Sequence, residues 1–149
     1  MPNALEIIGI FEGCKLEAYP DPATGGAPWT IGWGSTRDRN GKPIKPGMKI
    51  TAQEATVLLE RDIDEIFLRI CADSGLKNLP QGCKEAIVSL CYNIGFDAFK
   101  RSKCYKAIIS GDLEEVCRQW DWYKANGKFM RGLARRRVKE LSLFLDSWK

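Results

Sequence analysis

Histidine is absent from the 149 residues. That excludes a Ser-His-Asp triad, a Cys-His nucleophile pair and a His-ligated zinc. Zinc peptidase and zinc amidase chemistry is set aside with them. Acid–base work must rest on Asp, Glu, Lys, Tyr or Cys. Long apolar runs are missing too. Stretches such as Ala86–Tyr92 are short and bounded by charge, so no segment is expected to span a bilayer. No C-x-x-C pair occurs among Cys14, Cys71, Cys83, Cys91, Cys104 and Cys117, and no metal site is expected. The opening Met1-Pro2-Asn3-Ala4-Leu5-Glu6 lacks the basic region and apolar core of an export signal. Cytosolic synthesis would leave the thiols free, most of them as small core fillers. Internal repeats and low-complexity linkers are also lacking.

What is present fits one soluble domain of one or two lobes. Apolar residues make up 44% and charged residues 28%, which leaves neither a disordered nor a fibrous reading. Charge is uneven along the chain. Residues 1–123 hold 15 Lys/Arg against 17 Asp/Glu, whereas residues 124–149 hold 8 against 2. The basic tail carries Lys124, Lys128, Arg131, Arg135, Arg136, Arg137 and Lys139. It reads either as an attractor of polyanions or as a solvated helix face with structural ion pairs.

Three sections follow from periodicity and turn chemistry. Residues 1–13 read as a helix with Asn3 as N-cap, Glu6 completing a capping box and Gly13 as the stop. Leu5, Ile8 and Glu12 share its apolar stripe. Residues 14–49 are rich in Gly, Pro, Thr and Trp. There Trp29-Thr30-Ile31-Gly32-Trp33 reads as a short strand in a hairpin lobe. Residues 51–149 read as helical. Thr51 and Glu54 form a capping box ahead of an Ala55, Leu58, Leu59, Ile63, Ile66, Phe67 face. A helix follows Pro80 and stops at Gly95, with Ala86, Ile87, Leu90, Cys91 and Ile94 inward. Further helices are predicted at Lys103–Ser110, at Leu113–Tyr123, and through Leu133, Val138, Leu141, Phe144, Leu145 and Trp148.

The chemical candidates lie between residues 12 and 30. Glu12 closes the first helix, Asp21 sits in the Tyr19-Pro20-Asp21-Pro22 turn and Thr30 is on the next strand. A helix end, a turn and a strand can converge on one wall. Glycoside hydrolysis needs two carboxylates in different surroundings. Glu12, sharing a stripe with Leu5 and Ile8, is expected to be partly desolvated and held protonated as a general acid. Asp21, in a polar turn, stays ionised to stabilise charge at the sugar or activate water, which the Thr30 hydroxyl can hold. Spacing alone also fits a surface charge and a turn former. Trp29 and Trp33 are expected on one side of the strand, either stacking on sugar faces or packing in the core. Trp120 and Trp122 read as packing residues. Cys14, two residues after Glu12, raises the idea that a disulfide there misplaces the acid.

The segment Phe11-Glu12-Gly13-Cys14-Lys15-Leu16-Glu17-Ala18-Tyr19-Pro20-Asp21, followed by Trp29-Thr30-Ile31-Gly32-Trp33-Gly34, resembles the signature of phage-type lysozymes, the glycoside hydrolase family 24 muramidases. Thr51–Asp62, Ala86–Gly95 and Gly132-Leu133-Ala134-Arg135-Arg136-Arg137 with Glu140 resemble it as well, so the likeness covers nearly the whole chain. It implies an α+β lysozyme-like fold, with a small β-hairpin lobe at about 14–49, a helical lobe from 1–13 and 51–149, and an active-site cleft between them. It also implies Glu12, Asp21 and Thr30 as a catalytic triad, with Trp29 and Trp33 as substrate-binding candidates. The implied substrate is bacterial peptidoglycan, cut at the β-1,4 bond between N-acetylmuramic acid and N-acetylglucosamine, without cofactor or metal. A monomer is expected, since no heptad or long exposed apolar stripe argues otherwise. Without an export signal it would wait in the host cytoplasm and need a holin-type membrane partner to reach the wall. No nucleic acid is expected, because no recognised binding motif is present. A lytic transglycosylase and a non-catalytic wall- or protein-binding module on the same fold are the rivals. The sequence departs from the pattern at Pro22–Pro28, which is longer than in the shortest members, and at Ser35-Thr36, to which no function is attached.

Overall fold

A computed structural model describes residues 1–148. The elements run α1 (Pro2–Phe11), β1 (Lys15–Tyr19), β2 (Thr30–Gly32), α2 (Ala52–Ala72), α3 (Gln81–Ile94), α4 (Phe96–Lys100), α5 (Lys103–Ser110), α6 (Leu113–Gln119), β3 (Lys124–Ala125), β4 (Lys128–Phe129) and α7 (Arg131–Ser147). Two compact units are formed, one by Ile8–Asp64 and one by Met1–Ile7 with Glu65–Lys149. The divisions fall inside α1 and α2.

In the Ile8–Asp64 unit, β1 and β2 pair antiparallel, with Lys15 opposite Gly32, Tyr19 opposite Thr30 and an irregularity between. A third ribbon runs along β1, because Ala18 N–H donates to Met48 O and Ile50 N–H to Leu16 O, both at 2.9 Å. Ile31, Ile44 and Leu58 form the apolar centre, with Ala18, Trp29, Met48 and Ile50 packed against it. The strand is shorter than Trp29–Trp33. Gly32 has φ +67°, a conformation open to glycine, and it ends the extended run. Strand alternation therefore does not carry from Trp29 to Trp33. The Thr51–Glu54 capping box is present, with Glu54 N–H donating to Thr51 Oγ1 at 3.1 Å. Ala55, Leu58, Leu59 and Ile63 are buried as their spacing predicted.

The start of α1 departs from expectation. Asn3 lies inside the helix, and α1 ends at Phe11 rather than residue 13. The orphan N–H groups of its first turn are met by Glu85 of α3. Its Oε1 accepts from Asn3 N–H at 3.0 Å and Ala4 N–H at 3.4 Å, and its Oε2 from the Asn3 amide at 3.0 Å. A helix whose first turn has no acidic residue thus receives its anionic cap from 82 positions away.

In the larger unit α3 is buried along most of its length. It stops at Gly95, φ +91°, and α5 stops at Gly111, φ +75°. Helix α6 ends at Gln119, four residues short of the predicted Tyr123. A β3–β4 hairpin follows, turning at Asn126 and Gly127, φ +52° and +76°. Both residues of such a turn need positive φ, which Asn-Gly supplies. Val138 on α7 is 66% exposed. The buried face of α7 is formed instead by Arg136, Arg137, Glu140 and Phe144. Glu140 accepts from Arg136 Nε at 3.2 Å, Arg137 Nη2 at 3.0 Å, Trp120 Nε1 at 3.2 Å and the Ser89 hydroxyl. Arg136 also donates to Ser89 O, and Arg137 to Asn93 Oδ1. The triple Arg is thus mixed, with Arg135 exposed and its two neighbours buried.

Two predictions follow from these buried charges. Removing one member of a buried ion pair typically costs about 3–5 kcal/mol. Glu140→Gln strands two guanidinium groups and should lower unfolding stability by about 3 kcal/mol or more in urea titration, whereas Arg135→Gln should change it by under ~0.5 kcal/mol. The second concerns Asp73. Burial alone would raise its pKa, but Lys100 at 2.6 Å, the Tyr105 hydroxyl at 2.8 Å and the Gly75 N–H outweigh burial and hold it below the usual carboxylate range. A depressed folded-state pKa gives stability that is present above the unfolded value, about 3.9, and lost as pH falls through the folded one. Asp73→Asn should flatten that acid limb of the thermal-melt profile, and an unchanged slope would refute the assignment.

Candidate active site

Glu12 follows the last residue of α1, and its N–H completes the helix by donating to Ile8 O at 2.8 Å. It is half-buried. Gly13 and Cys14 then lead directly into β1. Asp21 heads a closed turn. Its N–H donates to Gly26 O at 2.9 Å, its carbonyl accepts from Gly25 N–H at 2.7 Å and Thr24 N–H at 3.2 Å, and its Oδ1 accepts from Ala23 N–H at 2.9 Å. The Thr24 hydroxyl closes the far side on Ala27 O at 2.8 Å. Thr30 opens β2, half-buried, with its hydroxyl only 3.5 Å from Pro28 O.

The hairpin joins these pieces. Tyr19 stands opposite Thr30, and directly opposed residues of an antiparallel pair place their side chains on one face. Asp21 follows two residues beyond Tyr19, in the turn that connects β1 to β2. Burial raises the Tyr19 phenol's pKa, and the nearby negative charge of Glu12 raises it further. Tyr19 is therefore within electrostatic reach of Glu12 while paired with Thr30. Tyr19 lies within the family-like segment, and the cross-strand register sets it opposite the candidate Thr30.

Below Thr30 the strand is clamped. Ile31 and Ser35 exchange N–H···O bonds, both 2.9 Å. The buried Ser35 hydroxyl donates to Asp62 Oδ2 of α2 at 2.6 Å. Asp62 is itself held by Arg61 at 2.8 Å, and Arg61 also donates to Asp38 O and Arg37 O. Ser35, to which no role was attached, thus ties the Thr30 strand to a helix.

The tryptophans separate. Trp29 packs on the Ile31–Ile44–Leu58 centre and bridges to Ile44. Trp33 lies past Gly32, half-buried. A separate cavity of about 690 Å³ in the same unit is floored by Ile44, Met48, Ile50 and Leu58, and Glu12, Asp21 and Thr30 do not line it. Among the described residues no cluster of Cys, Asp and Glu is arranged to hold a metal. No helix there is long and apolar enough to cross a membrane. All six cysteines are free thiols, so the structure contains no disulfide at Cys14.

Residues 9–140 match the phage lysozyme family. The chain belongs to that family. The endolysin of Bacillus phage B103 is 32% identical over 143 residues, covering 95% of this chain and 52% of the relative. The chain thus spans about half the length of that relative. The endolysin from Escherichia coli O157:H7 phage FAHEc1 superposes with a TM-score of 0.80 at 36% identity, over 99% of this chain and 93% of that one. The muramidase domain of SpmX from Asticaccaulis excentricus superposes with a TM-score of 0.79 at 31% identity, over 97% and 96%. The fold of this phage lysozyme family member is α+β and lysozyme-like.

The thiols offer a check on the packing around these elements. Burial pushes the Cys83 thiol up to about 11 and Cys104 up to about 12, and raises Cys91 further. Cys14 and Cys117 are exposed and Cys71 half-buried. Thiolate is the reactive form. Iodoacetamide at about pH 8 should therefore modify Cys14 and Cys117 first, by intact mass, and Cys83, Cys91 and Cys104 only after unfolding. Rapid labelling of Cys91 in the folded protein would contradict this packing.

Proposed function

We propose that this chain hydrolyses the β-1,4 bond between N-acetylmuramic acid and N-acetylglucosamine in bacterial peptidoglycan. The observation that carries the reading is the hairpin register. It sets Tyr19 opposite Thr30, with Glu12 in the residues that lead into β1 and the Asp21 turn in the connection from β1 to β2. The family match over residues 9–140 supports it.

In this reading Glu12 is the general acid that protonates the leaving oxygen. Asp21 is the carboxylate partner. With Oδ1 held by the Ala23 N–H, its other oxygen is oriented to accept a proton from water or to stabilise positive charge at the sugar. Thr30 helps hold that water through its hydroxyl, whose bond to Pro28 O is long at 3.5 Å and gives up little in turning. Trp29 and Trp33 are the candidates to meet a sugar face, Trp29 being packed on the apolar centre as well. No cofactor enters the scheme. The protein acts as a monomer, held in the host cytoplasm until a holin-type membrane partner gives access to the wall.

Wild type, Glu12→Gln, Asp21→Asn and Thr30→Ala would be incubated with purified peptidoglycan and the products read by mass spectrometry. Wild type should release fragments with hydrated muramic-acid ends. A positioned acid or base typically contributes about 10²–10⁴-fold. Glu12→Gln and Asp21→Asn should lose at least ~10²-fold, and Thr30→Ala less than either. Anhydro ends would identify a lytic transglycosylase instead. Wall binding without cleavage by wild type would leave a binding module.

A further inference from the structure

The C-terminal part of the chain carries a surface that the proposed hydrolysis does not use. From Trp122 to Lys139 there is no Asp or Glu. Of the cations in that stretch, Arg136 and Arg137 are buried against Glu140. Lys124, Lys128, Arg131, Arg135 and Lys139 are exposed. Among them the β3–β4 hairpin presents two large apolar side chains, Phe129 at 63% and Met130 at 45% exposure. Lys124 stands opposite Phe129 in the ladder, so cation and ring share a face. The Tyr123 ring lies 6.0 Å from that of Phe129. Met130 N–H donates to Tyr123 O at 2.8 Å, which extends the hairpin to the residue that precedes α7. Arg131 and Arg135 then stack one helical turn apart on α7.

We propose that this hairpin and the first turn of α7 dock on an anionic phospholipid bilayer. Phe129 and Met130 enter the interface, while Lys124, Lys128, Arg131 and Arg135 meet lipid phosphates. Two observations select a bilayer over a soluble polyanion. The stretch has uncompensated positive charge, which either partner would satisfy. It also exposes Phe129 and Met130 in the middle of that charge, and a bilayer, unlike a soluble polyanion, removes them from water as the phosphates are met. The contact is peripheral, since no helix among the described residues is built to cross.

The test uses the full chain and sedimentation with vesicles, and no glycosidic bond is involved. Its outcome is therefore independent of the hydrolysis proposed above. Vesicles of phosphatidylcholine with about 30% phosphatidylglycerol should bind the protein, less so as salt rises, and phosphatidylcholine alone should bind it weakly. Each cation near an anionic surface strengthens partition about fivefold. The triple variant Lys124→Gln, Lys128→Gln, Arg131→Gln should therefore bind roughly 100-fold more weakly. The variant Phe129→Ser, Met130→Ser should lose about tenfold or more on vesicles while keeping wild-type retention on immobilised polyphosphate. These side chains are exposed, and circular dichroism checks that both variants fold. Equal binding to neutral and anionic vesicles would overturn the proposal. So would wild-type vesicle binding by the Phe129/Met130 variant, which would mark a surface that reads charge alone, as for a wall polymer or nucleic acid.

Discussion

Ten residues separate Tyr19 from Thr30, and none of them belongs to a helix or strand. The antiparallel pairing at their two ends closes this connection, and the Asp21 turn within it is held by its own bonds, Asp21 N–H to Gly26 O and the Thr24 hydroxyl to Ala27 O. A two-stranded pairing is marginal alone, so the support beneath it decides whether it holds. Ile31 and Ile44 pack on Leu58 of α2, and Ser35 binds Asp62 of the same helix. The Met48–Ile50 segment adds two backbone bonds along β1. The candidate chemistry therefore depends on a helix that carries none of it. A substitution at Leu58 or Asp62 would act on Thr30 through position alone.

A different constraint governs the other unit. Glu140 is one carboxylate shared by two guanidinium groups, both removed from water. Desolvating three charges is costly, and it is tolerable only where every lone pair is met. The Ser89 hydroxyl, the Trp120 indole N–H, the carbonyl of Ser89 and the Asn93 amide oxygen are further partners of these charges. Because these partners come from α3, α7 and the end of α6, the network fixes how those segments meet.

Much of this was legible in sequence wherever the cause is local. The Thr51–Glu54 box, the stops at Gly95 and Gly111 and the apolar stripe of α2 need only neighbours within a turn. The reading failed where the partner is distant. Asn3 has the chemistry of an N-cap, but Glu85 takes over the first-turn donors, and no local pattern announces a cap 82 residues away. The β3–β4 hairpin is a different kind of miss. Asn126-Gly127 is a strong local hairpin signal, but the basic residues around it drew the reading toward charge. Trp33 shows the reverse error, a regular alternation carried through a glycine that breaks it. In the candidate site, Glu12, Asp21 and Thr30 were legible through resemblance. Tyr19 and Ser35 were not assigned, because their parts arise from register and from a side-chain bond to α2.

The basic run shows why charge counted along a chain is not yet a surface. Arg135, Arg136 and Arg137 are adjacent in sequence, but successive helical residues point about 100° apart. One guanidinium faces water and two are locked on Glu140. Helical phase alone would not choose which two, since Lys139 and Val138 compete for the same faces and both are exposed. Glu140 makes the choice. It lies four positions after Arg136 and three after Arg137, spacings that bring side chains together, and its burial against Trp120 and Ser89 draws both guanidinium groups inward. The positive charge left outside is accordingly smaller than the composition suggests. It is also more localised, because what remains gathers on a short hairpin and one turn of helix, where exposed apolar side chains interrupt it.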